Sequence, residues 1–181
     1  MIACIGWGSL IWDPGALPVA APWRTDGPQL PLEFARQSQG GRVTLVIVPN
    51  VLPSQTLWAP FNTEVLSVAR EALRVREGNT RRSWIGQWKR DVQPAGEISR
   101  MIAAWAAAKP EISAALWAAM PPKWSGVDGA IPSENEVIAF LSALPDDARG
   151  SAEAYVRKAP LQIRTAYRPA LEERLGWTAT P

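Results

Sequence analysis

Ile2-Ala3-Cys4-Ile5-Gly6-Trp7-Gly8-Ser9-Leu10-Ile11-Trp12-Asp13-Pro14-Gly15 is the stretch on which the fold class turns. Its first four residues are apolar without alternation, the mark of a short strand buried on both faces, and Gly6 stops the run. Asp13-Pro14-Gly15 is a turn signal, so residues 6–12 form a loop between a buried strand and a turn. No helical periodicity follows at once, as a βα unit would require. Residues 16–29 carry Pro18, Pro22, Gly27 and Pro28 and read as irregular chain.

Further along, Leu30, Leu32 and Phe34 alternate with Pro31, Glu33 and Ala35, and Val43 to Val48 is β-branched and apolar. Gly40-Gly41 lies between them, so the pattern predicts two strands joined by a hairpin, with Gln55 to Pro60 as a third partner. The period then changes. Val65, Leu66, Val68, Ala69, Ala72 and Leu73 follow three- and four-residue spacing, predicting a helix with Thr63 as N-cap and Gly78 as its stop. Ser83 to Trp88 predicts another strand, and Pro94 to Ala108 a second helix ending before Lys109-Pro110. Ile112 to Met120 fits either a helix or a buried strand. Ser133 followed by Glu136 satisfies the capping-box pattern and places a helix over Glu134 to Leu144. Two more helical patterns cover 149–158 and 161–175, divided by Pro160 and ended by Gly176.

The expected fold is therefore α+β: a small mixed twisted sheet or β-barrel-like core from residues 2–60 and 84–120, with surrounding helices and the first strand in the interior. The early connections are too short for βαβ crossovers. No internal repeat or low-complexity linker divides the chain, so residues 1–181 are expected to form a single domain.

Composition narrows the chemistry. The 181 residues include no histidine, which excludes Ser-His-Asp and Cys-His nucleophile systems, histidine metal ligands and imidazole acid/base catalysis. The lone Cys4 allows neither an intrachain disulfide nor a cysteine-rich metal site and suits a reducing compartment, so a cytoplasmic location is expected. No metal or other cofactor is expected. The longest apolar run, Met101 to Ala108, is too short for a bilayer, and residues 1–5 lack the basic region of a signal peptide. With 19 Lys and Arg against 17 Asp and Glu, the chain has almost no net field to attract a polyanion, so neither nucleic acid nor membrane is an expected partner.

Four features carry chemistry. The loop Gly6-Trp7-Gly8-Ser9-Leu10 has glycines two apart directly after a strand; it is either a nest whose N–H groups hold an anion or a tight turn whose glycines admit close backbone packing. It has neither the third glycine of a dinucleotide fingerprint nor the Gly-Lys-Ser/Thr of a P-loop. Glu77, in Arg76-Glu77-Gly78, faces the negative end of its helix dipole. It is either a functional carboxylate or a solvated helix-end residue compensated by Arg74, Arg76, Arg81 or Arg82. Glu33 is the competing carboxylate, ordinary if its face of the strand is solvated. Arg81-Arg82 beside Trp84 fits a carboxylate or phosphate contact or a packed surface. The ten tryptophans are too dispersed for a base-stacking platform and belong to core or pocket wall.

Taken in order, the first strand with Gly6-Trp7-Gly8-Ser9-Leu10, then Leu32-Glu33-Phe34-Ala35-Arg36-Gln37-Ser38, then Val43-Thr44-Leu45-Val46, then Arg76-Glu77-Gly78, resemble the γ-glutamylcyclotransferase-like family. Ser113 to Met120, Pro132-Ser133, Tyr155 and Tyr167-Arg168 resemble a bacterial branch of it. The resemblance implies that Gly6, Trp7, Gly8, Ser9 and Leu10 form the substrate-binding loop and that Glu77 is the acid/base catalyst. Glu33, Ser38 and Arg81 are further candidates. It implies a metal-independent enzyme acting on a small γ-glutamyl substrate. Trp7 stands where the family usually has tyrosine, which removes a hydroxyl from the loop and predicts an altered substrate preference. The competing expectation is a non-catalytic domain that binds a small amino-acid-like ligand or a partner's terminus.

Overall fold

The computed structural model describes residues 1–78 and 81–180. Its chain is mixed α+β, as expected, with five α-helices and two mixed sheets among the described residues. Two compact units make it up: Met1–Gly6, Asp13–Leu30 and Gln55–Met120 form the first, and Trp7–Trp12, Pro31–Ser54 and Pro121–Pro181 the second. Each unit is assembled from separated stretches, so no linker composition in the sequence marks a boundary.

In the first unit, β1 (Ile2–Gly6) lies between β5 (Leu57–Pro60) and β7 (Ala114–Ala118), and β6 (Ile85–Lys89) completes the order β5-β1-β7-β6. β1 runs antiparallel to β5 and parallel to β7, with Cys4 opposite Ala59 on one side and Leu116 on the other. All five residues of β1 are buried, which is why the run has no polar face. The open reading of Ile112 to Met120 is settled as a strand, because the segment carries the parallel partner of β1. Helix α1 (Leu66–Arg76) packs on β7 and β6, and α2 (Gly96–Ala107) on β6.

Helix α1 begins three residues later than its expected cap. Val65 is the N-cap, while the Thr63 hydroxyl accepts a bond from the Val65 N–H at 3.2 Å and so shapes the turn before the helix. The expected third strand splits into β4 (Pro53–Gln55), which pairs β2, and β5, which pairs β1 rather than joining the hairpin.

In the second unit, β2 (Gln29–Gln37) and β3 (Val43–Ile47) form the expected antiparallel hairpin, with Phe34 opposite Leu45 and a bulge between Phe34 and Arg36. The short hairpin of β8 (Lys123–Trp124) and β9 (Val127–Asp128) extends the sheet to the order β3-β2-β8-β9. These two-residue strands leave no periodicity to read.

Helix α3 (Glu134–Ser142) starts at a formed capping box: the Ser133 hydroxyl accepts from the Glu136 N–H, and the Glu136 carboxylate accepts from the Ser133 N–H. Helix α4 (Asp146–Lys158) packs on β3. Helix α5 spans only Arg168–Leu175, ending at Gly176 with φ 70°, the left-handed value that glycine supplies without strain. Residues 161–167, expected to be helical, form a turn, irregular chain and a bend instead. Their backbone is engaged by a side chain of β2, described below.

Candidate functional site

Glu77 is the C-cap of α1 and belongs to the first unit. Its side chain is 11% exposed, which removes the reading of a freely solvated helix-end residue. Arg76 Nη1 donates to Glu77 Oε1 at 3.2 Å, and Nη2 of the same guanidinium donates to the Asp13 carbonyl at 2.6 Å. Burial pushes the Glu77 carboxyl above its ordinary range, and the Arg76 charge and hydrogen bond pull it partly back. Cys4 on β1 feels the same carboxylate: burial drives its thiol strongly upward and the Glu77 charge adds to that. The thiol is thereby held protonated, which makes Cys4 an inert core residue.

The loop that follows β1 has a different construction. Gly6 pairs with Leu57 in the first unit, while Trp7, Gly8, Ser9 and Leu10 belong to the second. Trp7 is buried and its indole Nε1 donates to the Leu45 carbonyl at 3.1 Å. The Ile11 N–H donates to the Gly8 carbonyl at 3.0 Å and closes a turn. Leu10 is buried and Ser9 half-buried.

Neither Gly6 nor Gly8 has a positive φ. Glycine at position 8 answers a steric need: a β-carbon there would stand 2.5 Å from the Tyr155 hydroxyl. Close packing, the second of the two readings of the paired glycines, thus accounts for Gly8.

Glu33 is fully buried on β2, between Leu32 and Phe34, which are buried too. The whole run from Leu30 to Arg36 is covered on both faces, so the alternation in sequence does not produce a solvated face. Glu33 Oε1 accepts from the Phe34 N–H at 2.8 Å and Oε2 from the Tyr167 N–H at 3.2 Å. The Thr165 hydroxyl and the Ala166 N–H add further bonds. Burial raises its pKa, and these donors lower it. This carboxylate gathers donors from residues 165–167, the stretch that leads into α5.

Arg168, buried beside it, donates from Nε to the Ile163 carbonyl at 3.1 Å and from Nη2 to that of Ala159 at 3.3 Å. Burial lowers its pKa, opposed by the Glu172 and Glu33 charges.

The remaining candidates lie in the open. Ser38 is exposed and its N–H donates to the Arg42 carbonyl at 2.8 Å, closing the β2–β3 connection. Arg81 is exposed, with its guanidinium 4.6 Å from the centre of the Trp84 ring. Among the described residues no cluster of three histidine, cysteine or acidic side chains is placed to hold a metal ion, and no helix is long and apolar enough to cross a membrane.

The structure groups Trp7 to Leu10 with Glu33 and Ser38 in the second unit, and Gly6, Glu77 and Arg81 in the first. Tyr155 and Tyr167 enter the sequence reading through the family resemblance alone, with no site role given to either. Tyr155 is buried on α4 together with Ala152 and Val156. For the turn at 165–167 there was no local signal, because its partner lies 134 residues away. Comparison of the chain with family models, with curated proteins and with solved structures finds no match.

Proposed function

We propose that the protein is a γ-glutamylcyclotransferase-type enzyme that releases 5-oxoproline and a free amine from a small γ-glutamyl compound, with Glu77 as the general acid/base. The observation that carries this reading is a carboxylate with 11% exposure at a helix C-terminus, tied to one arginine, in a chain without histidine. Burying a carboxylate where the helix dipole opposes it has an energetic cost, and local rules are broken in this way where chemistry needs a raised pKa.

The reaction requires little machinery. Ionised Glu77 takes a proton from the substrate α-ammonium, and the freed amine attacks its own γ-carbonyl carbon to close a five-membered ring. As the tetrahedral intermediate collapses, the C–N bond to the leaving amine breaks and protonated Glu77 gives its proton to that nitrogen. The ring nitrogen sheds its second proton, which ends on the released amine as its ammonium form. No water is consumed, and the carboxylate ends as it began. A pKa raised toward neutrality suits a group that must accept and donate in one cycle. Holding the substrate chain folded supplies much of the rate, since both reacting groups belong to one molecule. On the family resemblance, the backbone N–H groups of Gly8, Ser9 and Leu10 are proposed to bind an anionic group of the substrate. Trp7 is buried with its indole N–H engaged by the Leu45 carbonyl, so it brings no hydroxyl to the loop.

The test is release of 5-oxoproline from a panel of γ-glutamyl amines and amino acids. Turnover of at least one member by the unmodified protein, absent in Glu77→Gln, is the expected result. No release from any member, together with binding of 5-oxoproline, would favour the non-catalytic domain instead.

A further inference from the structure

We infer that Tyr155 is the positioning residue of the Trp7 to Leu10 loop, setting through its hydroxyl where the loop N–H groups stand. The inference rests on the reading of that loop as the substrate-binding element and assigns its affinity to a side chain on α4.

β3 is an edge strand of its sheet, and an edge residue must find partners for its outward N–H and C=O. Leu45 finds both in side chains: its N–H donates to Tyr155 Oη at 3.2 Å, and its carbonyl accepts from Trp7 Nε1 at 3.1 Å. One residue of the sheet thus binds the loop and the residue that flanks the loop. Tyr155 touches the turn at both ends. Its Oη lies against the Gly8 backbone, and its ring meets Trp12 edge-on with centroids 5.4 Å apart. The Gly8–Ile11 hydrogen bond closes the chain between those two points.

The steric detail isolates the hydroxyl from the ring. A β-carbon on Gly8 would stand 2.5 Å from Oη, 3.5 Å from Cζ and 4.0 Å from Cε2. The last two are ordinary contacts; the oxygen alone excludes a side chain. Since φ at Gly8 is not positive, alanine is excluded there by Tyr155 and not by the backbone. Removing that oxygen should make position 8 tolerant.

The experiment compares the unmodified protein, Gly8→Ala, Tyr155→Phe and the double variant. Two readouts are taken: amide resonances of residues 8–10 with the Trp7 indole N–H in ligand-free protein, and kcat and KM for whichever γ-glutamyl compound is turned over. Gly8→Ala should displace the resonances and raise KM by about tenfold, the equivalent of one good hydrogen bond. Tyr155→Phe keeps the ring against Trp12, so it should displace the same resonances and raise KM with kcat within about twofold, because acid/base chemistry is assigned elsewhere. Adding Gly8→Ala to Tyr155→Phe should then cost nothing further, a non-additivity expected of residues in contact. Independent, multiplying effects in the double variant, or unmoved resonances in Tyr155→Phe, would overturn the inference. If the unmodified protein turns over no γ-glutamyl compound, the functional reading fails, yet the ligand-free resonances still decide whether Tyr155 places the loop.

Discussion

Arg76 holds Glu77 from the adjacent position in the chain, donating to its carboxylate at 3.2 Å with one terminal nitrogen while the other binds the Asp13 carbonyl at 2.6 Å. The second bond fixes the guanidinium, so its charge acts on the carboxylate from a set place. Arg76 moderates the upward push of burial on Glu77. Arg76→Gln removes that charge and should move the Glu77 pKa further up. With Glu77 as the proposed acid/base, the acidic limb of the kcat/KM profile should shift to higher pH, and a profile with an unmoved or downward-shifted limb would show that the pair does not set this group.

Glu33 is expected to be structural. Its carboxylate gathers N–H groups of Phe34 and Tyr167 at full burial, and an amide can accept at only one of its two heavy atoms. Glu33→Gln should destabilise the protein by about 1–3 kcal/mol through donors left without an acceptor. Urea unfolding measures this, and a loss below about 0.5 kcal/mol would contradict the assignment, since that is the range of unconstrained surface changes.

The pH dependence of stability follows from the direction of the Glu77 shift. Its folded pKa is raised above the ordinary value of 4.5, so the folded state binds the proton more tightly than the unfolded chain. The resulting stabilisation is fully present below about pH 4.5 and is lost as pH rises through the folded pKa. Glu77→Gln has no such dependence and should gain stability relative to the unmodified protein between acid and neutral pH. Urea midpoints for both proteins across that range check the sign; a relative loss on going to neutral pH would mean that the folded pKa is lowered.

Ser133 provides a local calibration. Ser133→Ala removes the side-chain acceptor for the Glu136 N–H and should cost about 1 kcal/mol, measurable by thermal or urea unfolding without change in turnover. An unchanged midpoint would indicate that α3 is held by its buried Val137, Ile138 and Leu141 and owes nothing to the cap.

These contrasts follow what a sequence encodes locally. The capping box at Ser133, the terminating Gly176 and the unbroken apolar run of β1 are readable because a few adjacent residues determine them. The buried end of α1 left only the mild dipole conflict at Glu77 as a trace. Burial of Glu33 left none: its strand alternates as a half-solvated one does, and apart from the Phe34 N–H the donors that accommodate its charge come from residues 165–167. Pairing of β5 with β1 was likewise hidden, because a strand's own pattern does not name its neighbour. Gly8 was conspicuous in sequence, but its reason lies on α4, in a hydroxyl 147 positions further along the chain by residue number.

Whether Glu77 carries the proton, as proposed, is decided by 5-oxoproline release in Glu77→Gln and Glu33→Gln, each measured against the unmodified protein. Glutamine preserves the size of either side chain and removes its ability to cycle a proton. Glu77→Gln should be folded, retain 5-oxoproline binding and lose turnover by about a hundredfold or more, as for removal of a general acid/base. Glu33→Gln, though less stable, should turn over substrate at a comparable kcat under conditions where it is folded. Full activity in Glu77→Gln with loss in folded Glu33→Gln would contradict the proposal.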